Sequence, residues 1–574
     1  MPPFDPETIA RYRRSGQWGE HTFFGLFAAN AAAAPDAIAL VDPTNRAAFA
    51  PGKNERLSYR EALRRVDALA ALLSKSGLRA GDVILVQMPN IHELILLYLA
   101  AARTGIIVSP VPVQYRHHEL AYIVSTLAPQ AFCSVTRLGE IDLLDSFRSG
   151  TDFRGTMLGI GDNLAADVVD LRSAWNDTVD ADAGELAAAA SDPNAVFTIC
   201  WTSGTEGRPK AVPRTHNNWL ASAEWTLRSM QGQRGDAFLA MFPFVNAAAF
   251  GGLMAPWLKV AGTLVLHHPF DVEVLLNQLA AERITYTLMA PALLASMLAR
   301  EEERSGSLQL SALKAIGTGS APPDPSLIAR FEARFSIPVI NVFGSNEGAQ
   351  LCSDAAAVPD PRVRARLFPR DGDDGWSADK RTANGGVFRI VDPETGARIT
   401  EPGRTGEMRI AGPATFPGYF ERGAFDRRNF DDDGFFRTGD LFELVGDDAG
   451  CGHMRFVGRS KEIIVRGGMK IAPGEVDAVI NAHPGIFEAA VAPYADPRLG
   501  ERVCAFVVSR QGSKISLAEL CDFCAAAGLA KFKWPERIVF IARLPRNATA
   551  KIMRRKLSEM IDDEIEPMAA SAGH

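Results

Sequence analysis

The stretch WTSGTEGRPKAVPRTH, residues 201–216, follows the apolar run AVFTICW (195–201) and gathers hydroxyls, two glycines and a lysine. A short run of β-branched and aromatic residues bounded by turn formers predicts a strand, so the polar part is the loop that leaves it. In that loop Thr202, Ser203, Gly204, Thr205 and Gly207 can offer hydroxyls and backbone N–H groups to an anion, because glycine lets the backbone approach closely. Lys210 adds a positive charge. A P-loop of the nucleotidase kind needs lysine directly after glycine and a hydroxyl after the lysine; here Arg208-Pro209 intervene and Ala211 follows. The stretch reads as a phosphate-holding loop of another kind.

Around it the chain has the composition of an ordinary soluble protein, at a length that permits a sizeable enzyme. At 574 residues it exceeds what one hydrophobic core supports, so two or more domains are expected. It is 47% hydrophobic and 22% charged with a net charge of -7, and no basic stripe answers a nucleic-acid backbone. The opening MPPFDPETIARYRRSGQWGE lacks the apolar segment of a signal peptide or anchor, so a cytoplasmic protein is expected. Residues 237–258, AFLAMFPFVNAAAFGGLMAPWL, carry no charge and have the length of a membrane span. Pro243, Asn246, Gly251, Gly252 and Pro256 would each weaken a lipid-exposed helix, so the segment reads as a buried wall, not an integral membrane segment. Among seven cysteines, Cys521-x-x-Cys524 has no second pair and no histidines beside it to complete a zinc site.

Strand-length apolar runs alternate with helical patterns: GDVILVQMPN (81–90) leads into IHELILLYLAAARTG (91–105), and GIIVSPVPV (105–113) starts another strand. The cycle recurs over 284–300 and, helix first, over 327–344. Such alternation predicts an α/β fold with parallel-rich sheets. Beyond about residue 385 shorter strands and turns predict a β-rich subdomain, and past Arg459 a compact mixed segment follows.

Further along lie GTGSAPP (317–323), NVFGSNEG (341–348), GFFRTGDL (434–441), VGRSKEIIVRGGMKIAPGEV (457–476) and LPRNATAKIMRRKL (544–557). Together with the opening stretch, and in this order, they resemble the signature motifs of the adenylate-forming superfamily: acyl- and aryl-CoA synthetases, the adenylation domains of peptide synthetases and firefly luciferase. The resemblance spans nearly the whole chain. It implies a large N-terminal AMP-binding domain (1–459) and a small mobile α+β C-terminal domain (460–574). It also implies an ATP-dependent reaction in which a carboxylate attacks the α-phosphate, releasing pyrophosphate, and a thiol then displaces AMP.

By that resemblance Thr202, Ser203, Gly204, Thr205 and Lys210 hold the ATP phosphates, and Gly319, Ser320 and Ala321 form the adenine-side loop. Asn341, Phe343, Gly344 and Asn346 belong to the next nucleotide-binding motif, and Glu347 is the expected magnesium ligand, a hard oxygen suited to a hard cation. Asp440 should accept from the ribose hydroxyls with Arg459 beside it. Lys551, with Glu347, is the expected catalytic residue: a lysine between carboxylate and α-phosphate offsets repulsion of about 4 kcal/mol per close pair at an effective dielectric near 20. Lys461 aligns with the hinge about which the small domain rotates, and Gly467 and Gly468 with the coenzyme A side.

The chain departs from the family pattern in places. Glu206 stands where threonine is common, Ala211 and Ala550 where glycine is, and Asn346 where threonine precedes the glutamate; its amide can still donate to a phosphate oxygen. At FPFVNAAAFGG (242–252) Asn246 replaces a frequent histidine and small residues follow. Phe244, Asn246, Ala247 and Gly317 are therefore taken as acyl-pocket residues, with room for an apolar carboxylic acid bulkier than acetate, alicyclic, aryl-alkanoic or medium-chain. No carrier domain is recognisable before residue 574, which favours free coenzyme A as the acceptor. The alternative is an aryl-acid adenylase that loads a separate carrier protein, to which YRRSGQW (12–18) bears likeness. A homodimer is compatible with either reading.

Overall fold

The computed structural model describes residues 3–176, 192–202, 209–303, 306, 308–320, 322–370, 386–421, 423–447, 450–510, 513, 515–547 and 551–561. The chain divides into two compact units: Met1–Phe388 with Ile410–Arg437, and Arg389–Arg409 with Thr438–His574.

The first unit holds two large sheets. One runs in the order Val168–Asp170, Thr156–Ile160, Ala131–Val135, Val83–Gln87, Ile107–Pro110, Val196–Thr202, Lys210–Thr215, with every described pairing parallel except the last. The run VILVQ is buried at all five positions, as a strand with both faces covered must be, and the helix His92–Thr104 that follows is buried along nearly its whole length. Gly105 ends that helix in the left-handed conformation at φ 72°. The other sheet has eight strands in the order Gln350–Ser353, Val339–Gly344, Ala315–Thr318, Tyr286–Met289, Ala237–Ala240, Thr263–Leu266, Ile38–Val41, Arg56–Ser58, with antiparallel pairs only at its two edges. The strand–helix alternation of the sequence thus became parallel sheets, the predicted α/β class.

The uncharged segment 237–258 resolves into the strand Ala237–Ala240, a helical turn Ala247–Ala249, a π-helical turn Phe250–Met254 and the helix Ala255–Lys259. Among the described residues no helix is long and apolar enough to cross a membrane. Phe250 stacks on Tyr98 and Trp219, so the segment's hydrophobicity is spent on a protein core.

The second unit contains the β-rich piece and the small α+β piece. In the first, Val387–Val391, Thr405–Ala411, Phe436–Asp447 and Gly450–Arg459 lie side by side in that order. In the second, Met469–Ile471, Ile464–Arg466, Gly500–Ser509 and Ile486–Asp496 form a sheet to which Arg537–Phe540 adds in parallel. The compact units part after Arg437, so the ladder from Thr438 to Arg459 packs with the unit containing the C-terminal segment, while the 459/460 boundary of the hinge motif is a matter of rotation and not of packing. The reason is physical: compactness follows the long antiparallel ladder, whereas a hinge needs only a few rotatable residues.

Candidate functional site

Strand Val196–Thr202 and strand Lys210–Thr215 form an antiparallel hairpin in which Thr202 pairs with Lys210. This pairing brings both ends of the loop together. Ser203, Gly204, Thr205 and Ala321 lie outside the described residues. The Lys210 ammonium sits 4.7 Å from the ring centroid of Tyr419, and the Tyr419 hydroxyl donates to Oε1 of Glu347 at 3.0 Å. Among the described residues Oε2 of Glu347 takes no hydrogen bond. A phosphate-side cation, an aromatic ring and the expected metal-binding carboxylate are thereby connected.

Tyr419 was not anticipated from the sequence. Its signal is the preceding Gly418, at φ 141°, where a Cβ would press on the Asp426 carbonyl; only glycine gives the turn that presents the tyrosine. The Glu347 backbone is held as well, its carbonyl accepting from Phe416 N at 2.9 Å.

Asn346 is buried, and its side chain spans two segments: Oδ1 accepts from Ala247 N at 2.8 Å, while Nδ2 donates to the carbonyl of Trp201 at 3.3 Å. Its own carbonyl accepts from Nη1 of Arg214 at 2.7 Å. Arg214, a second residue that sequence reasoning passed over, is fully buried; Nη2 donates to Asn218 O and Ser222 Oγ, each at 3.1 Å, and the guanidinium lies 4.0 Å over Trp219. Burial pushes its pKa down to about 9. A lone arginine in the apolar strand KAVPRT is the trace it left in the sequence.

At the segment expected to line the acyl pocket, Asn246 caps the turn Ala247–Ala249, its Oδ1 accepting from Ala248 N at 3.1 Å and Ala249 N at 3.3 Å. The Asn246 side chain therefore supports the wall. Phe244 is buried among core aromatics, and its carbonyl accepts from the Tyr98 hydroxyl at 3.0 Å. A Cβ on Gly317 would overlap Leu288 and the Tyr286 hydroxyl, and one on Gly252 would overlap Leu288. These two glycines make room for Leu288 and Tyr286, which supply the bulk there.

Of the adenine-side residues, Gly319 passes so close to the Val342 carbonyl that a Cβ would not fit, and Ser320 adopts a left-handed φ of 73°. Such strain in a non-glycine residue fits a loop shaped for contact. Asn341 instead donates to the carbonyls of Arg364 and Ala365, both at 3.1 Å, and so braces the end of its strand. Phe343 and Gly344 continue that strand, Phe343 lying edge-on to Phe368.

In the second unit Asp440 and Arg459 face each other across the hairpin, with Arg459 Nε 3.0 Å from Asp440 Oδ1. Lys551 belongs to the same group. Burial first and the Arg459 charge next hold its pKa below the usual lysine range, against the opposing carboxylates of Glu462 and Asp440. Its backbone is pinned, with Lys551 N donating to Asn547 Oδ1 and Asn547 N donating to Lys551 O, both at 2.9 Å. Lys461 is exposed on the short turn Ser460–Glu462. Gly467 and Gly468, at φ 56° and 80°, are the two central residues of the hairpin joining Ile464–Arg466 to Met469–Ile471. A two-residue turn with both φ positive demands residues that tolerate the left-handed region, which accounts for the glycine pair.

Elsewhere, Asp42, His92 and Glu93 bring potential metal-ligand atoms together, but Arg46 already sits among them, Nη1 2.7 Å from Asp42 Oδ2 and Nη2 2.6 Å from Glu93 Oε1. The guanidinium supplies the positive charge a metal would bring.

One connected set of polar groups thus lies in the parallel α/β unit and another in the β-rich unit with its small mixed domain. Residues 27–420 match the model of the AMP-binding enzyme family and residues 475–551 that of the AMP-binding enzyme C-terminal domain. The chain belongs to this family, the adenylate-forming superfamily, and is an enzyme of its acyl-CoA-ligase type. It is 30% identical to a 2-hydroxy-7-methoxy-5-methyl-1-naphthoate–CoA ligase of Streptomyces carzinostaticus, over 97% of this chain and 96% of that protein. It is likewise 30% identical to a medium-chain fatty-acid–CoA ligase of Escherichia coli (strain K12), over 98% and 96%. A salicylyl-CoA synthase / salicylate adenylyltransferase of a Streptomyces species is 29% identical over 99% of both chains. Among solved structures, ATP-bound MatB from Rhodopseudomonas palustris superposes with a TM-score of 0.74 at 25% identity, covering 95% of this chain and 99% of that one.

Proposed function

We propose that this enzyme uses ATP to activate an apolar carboxylic acid bulkier than acetate and transfers the acyl group to coenzyme A. The observation that carries the reading is the 2.8 Å hydrogen bond from Ala247 N to Asn346 Oδ1, which seats a wall of small apolar residues directly beside the loop bearing Glu347. A second charge on the acid would meet alanine and glycine there and stay unpaired. The naphthoate and medium-chain substrates named for two relatives are of this apolar kind.

In the first step a carboxylate oxygen bonds to the α-phosphorus and pyrophosphate leaves; in the second the thiol sulfur bonds to the acyl carbon, AMP leaves and the thiol proton passes to solvent. Thr202 and Lys210 hold phosphate oxygens, and Lys551 offsets the repulsion between the two anions. Asp440 accepts from the ribose hydroxyls while Arg459, its Nε 3.0 Å from Oδ1, keeps the carboxylate aligned. Glu347 suits magnesium: its Oε1 is fixed by Tyr419 and Oε2 is left for a hard cation, which when bound to the phosphates supplies Lewis-acid stabilisation of the leaving group. Gly467 and Gly468 keep a side-chain-free edge for the pantetheine arm, with the hinge at Lys461, a boundary at 459/460 and a cytoplasmic setting completing the proposal.

Loading of a separate carrier protein is the second reading, favoured by the adenylyltransferase named among the relatives. Incubation with Mg·ATP, coenzyme A and acetate, hexanoate, cyclohexanecarboxylate, benzoate, phenylpropanoate or succinate, followed by detection of AMP and thioester, decides. Turnover should favour the apolar acids; acid-dependent ATP–pyrophosphate exchange with neither AMP nor thioester released supports carrier loading, and preference for acetate or succinate refutes the proposed acid class.

A further inference from the structure

We propose that Asn346 is a specificity-determining positioning residue for the acid, acting through the backbone of the acyl wall. The inference rests on the reading of Ala247 as part of that wall. Its basis is the path of the hydrogen bonds. The carbonyl of Asn346 is fixed by Arg214 Nη1 at 2.7 Å, and Arg214 is itself held by Asn218, Ser222 and the Trp219 ring. The backbone of Asn346 is thus anchored to the helix His216–Ser229. From that anchor Nδ2 reaches Trp201 O at the end of the strand entering the phosphate loop, and Oδ1 receives Ala247 N.

Ala247 is the first residue of its helical turn, and the N–H groups of a first turn have no partner within the helix. Asn246 satisfies those of Ala248 and Ala249, and Asn346 satisfies that of Ala247. The wall is therefore set in place by a residue of the nucleotide-side motif. A side chain of different reach at position 346 would shift Ala247 and the glycines beyond it and change which acids fit. Asn346 thereby acts at the acid through the wall, with its amide already engaged, in place of serving the phosphates directly.

The N–H can be deleted from the other side. Asn246 is extended, at φ -151° and ψ 177°, as a residue before proline prefers, and proline is well tolerated at a first helical position. Ala247→Pro removes the donor and keeps the turn. The experiment compares Asn346→Thr, Asn346→Ala, Ala247→Pro and the Asn346→Ala/Ala247→Pro double variant. Acid-dependent ATP–pyrophosphate exchange gives kcat/KM for hexanoate, cyclohexanecarboxylate, benzoate and phenylpropanoate, and KM for ATP.

The ratio between best and worst acids should move about tenfold in each single variant, the scale of one misplaced pocket contact, with the ATP KM changing much less. The double variant should match Asn346→Ala, because the bond that Ala247→Pro removes is already lost there. Hydrogen exchange of the 242–254 peptide, measured without substrate, should quicken in Asn346→Ala. Unchanged acid ratios with a raised ATP KM would make Asn346 a nucleotide ligand and overturn the proposal, as would additive effects or unchanged exchange. Exchange that quickens in a protein activating none of these acids would instead refute the proposed substrate class and leave the brace standing.

Discussion

Replacing Tyr419 by phenylalanine tests the Glu347 corner with the smallest change available. The ring remains for Lys210 to rest on, 4.7 Å from its centroid, while the hydroxyl that donates to Glu347 Oε1 at 3.0 Å is lost. A hydrogen bond to a charged group contributes about 1.5–3 kcal/mol, and Glu347 is only 9% exposed, so water replaces the hydroxyl poorly. If that energy holds the carboxylate in its working orientation, kcat/KM for acyl-adenylate formation falls about 10- to 150-fold. The half-saturating magnesium concentration should rise with it, because a swinging carboxylate binds a cation less well. Tyr419→Leu also removes the ring beneath Lys210 and should cost a further 2- to 5-fold, about 0.5–1 kcal/mol for an exposed cation–π contact. The assay is pyrophosphate exchange titrated with magnesium at saturating acid. Wild-type kinetics and an unaltered magnesium titration in Tyr419→Phe would refute the idea that the tyrosine orients Glu347.

The two half-reactions should separate by residue. In rapid-quench measurements Lys551→Ala should slow acyl-AMP formation about 10²–10³-fold while thioester release from supplied acyl-AMP changes far less; Gly468→Leu, which forces a side chain into a φ of 80°, should do the reverse. Arg46→Met would leave the buried carboxylates of Asp42 and Glu93 with His92 as the remaining cation-forming group against them, and denaturant titration should show a loss of about 3–5 kcal/mol. His216, stacked on Phe197 and accepting from Phe23 N, is held down to about 3 by burial. Between that value and an unfolded pKa of about 6.5 the unfolded chain binds the proton and the folded one does not, so this contribution to stability is full above pH 6.5 and is lost as pH falls, by up to about 1.4 kcal/mol per unit. His216→Gln should flatten the fall in thermal midpoint between pH 6.5 and 4, and a slope equal to wild type would remove His216 from that dependence.

The amino-acid sequence determined whatever depends on local pattern. A buried parallel strand must be continuously apolar, as in Val83–Gln87, so the fold class was legible directly, whereas the hairpin that needs Gly467-Gly468 for its two positive φ values became visible only in the structure. Lys210, Glu347, Asp440 and Lys551 were expected as site residues from the motifs in which they stand. Tertiary structure decided which of them meet. Tyr419 reaches Glu347 across 72 positions of chain, and Asn346 takes hydrogen bonds or gives them to Trp201, Arg214 and Ala247, 145, 132 and 99 positions away. A hydrogen bond of that span leaves no periodicity behind, because loop closure costs little more for a long loop than a short one and either partner alone looks like an ordinary polar residue. The same holds for Asn341, Asn246 and Phe244, which stand in suggestive motifs: only the structure shows that the Asn341 side chain meets Arg364 and Ala365, the Asn246 side chain Ala248 and Ala249, and the Phe244 carbonyl Tyr98. A buried polar group takes whichever partner the packing provides, and packing is settled only when distant segments come together.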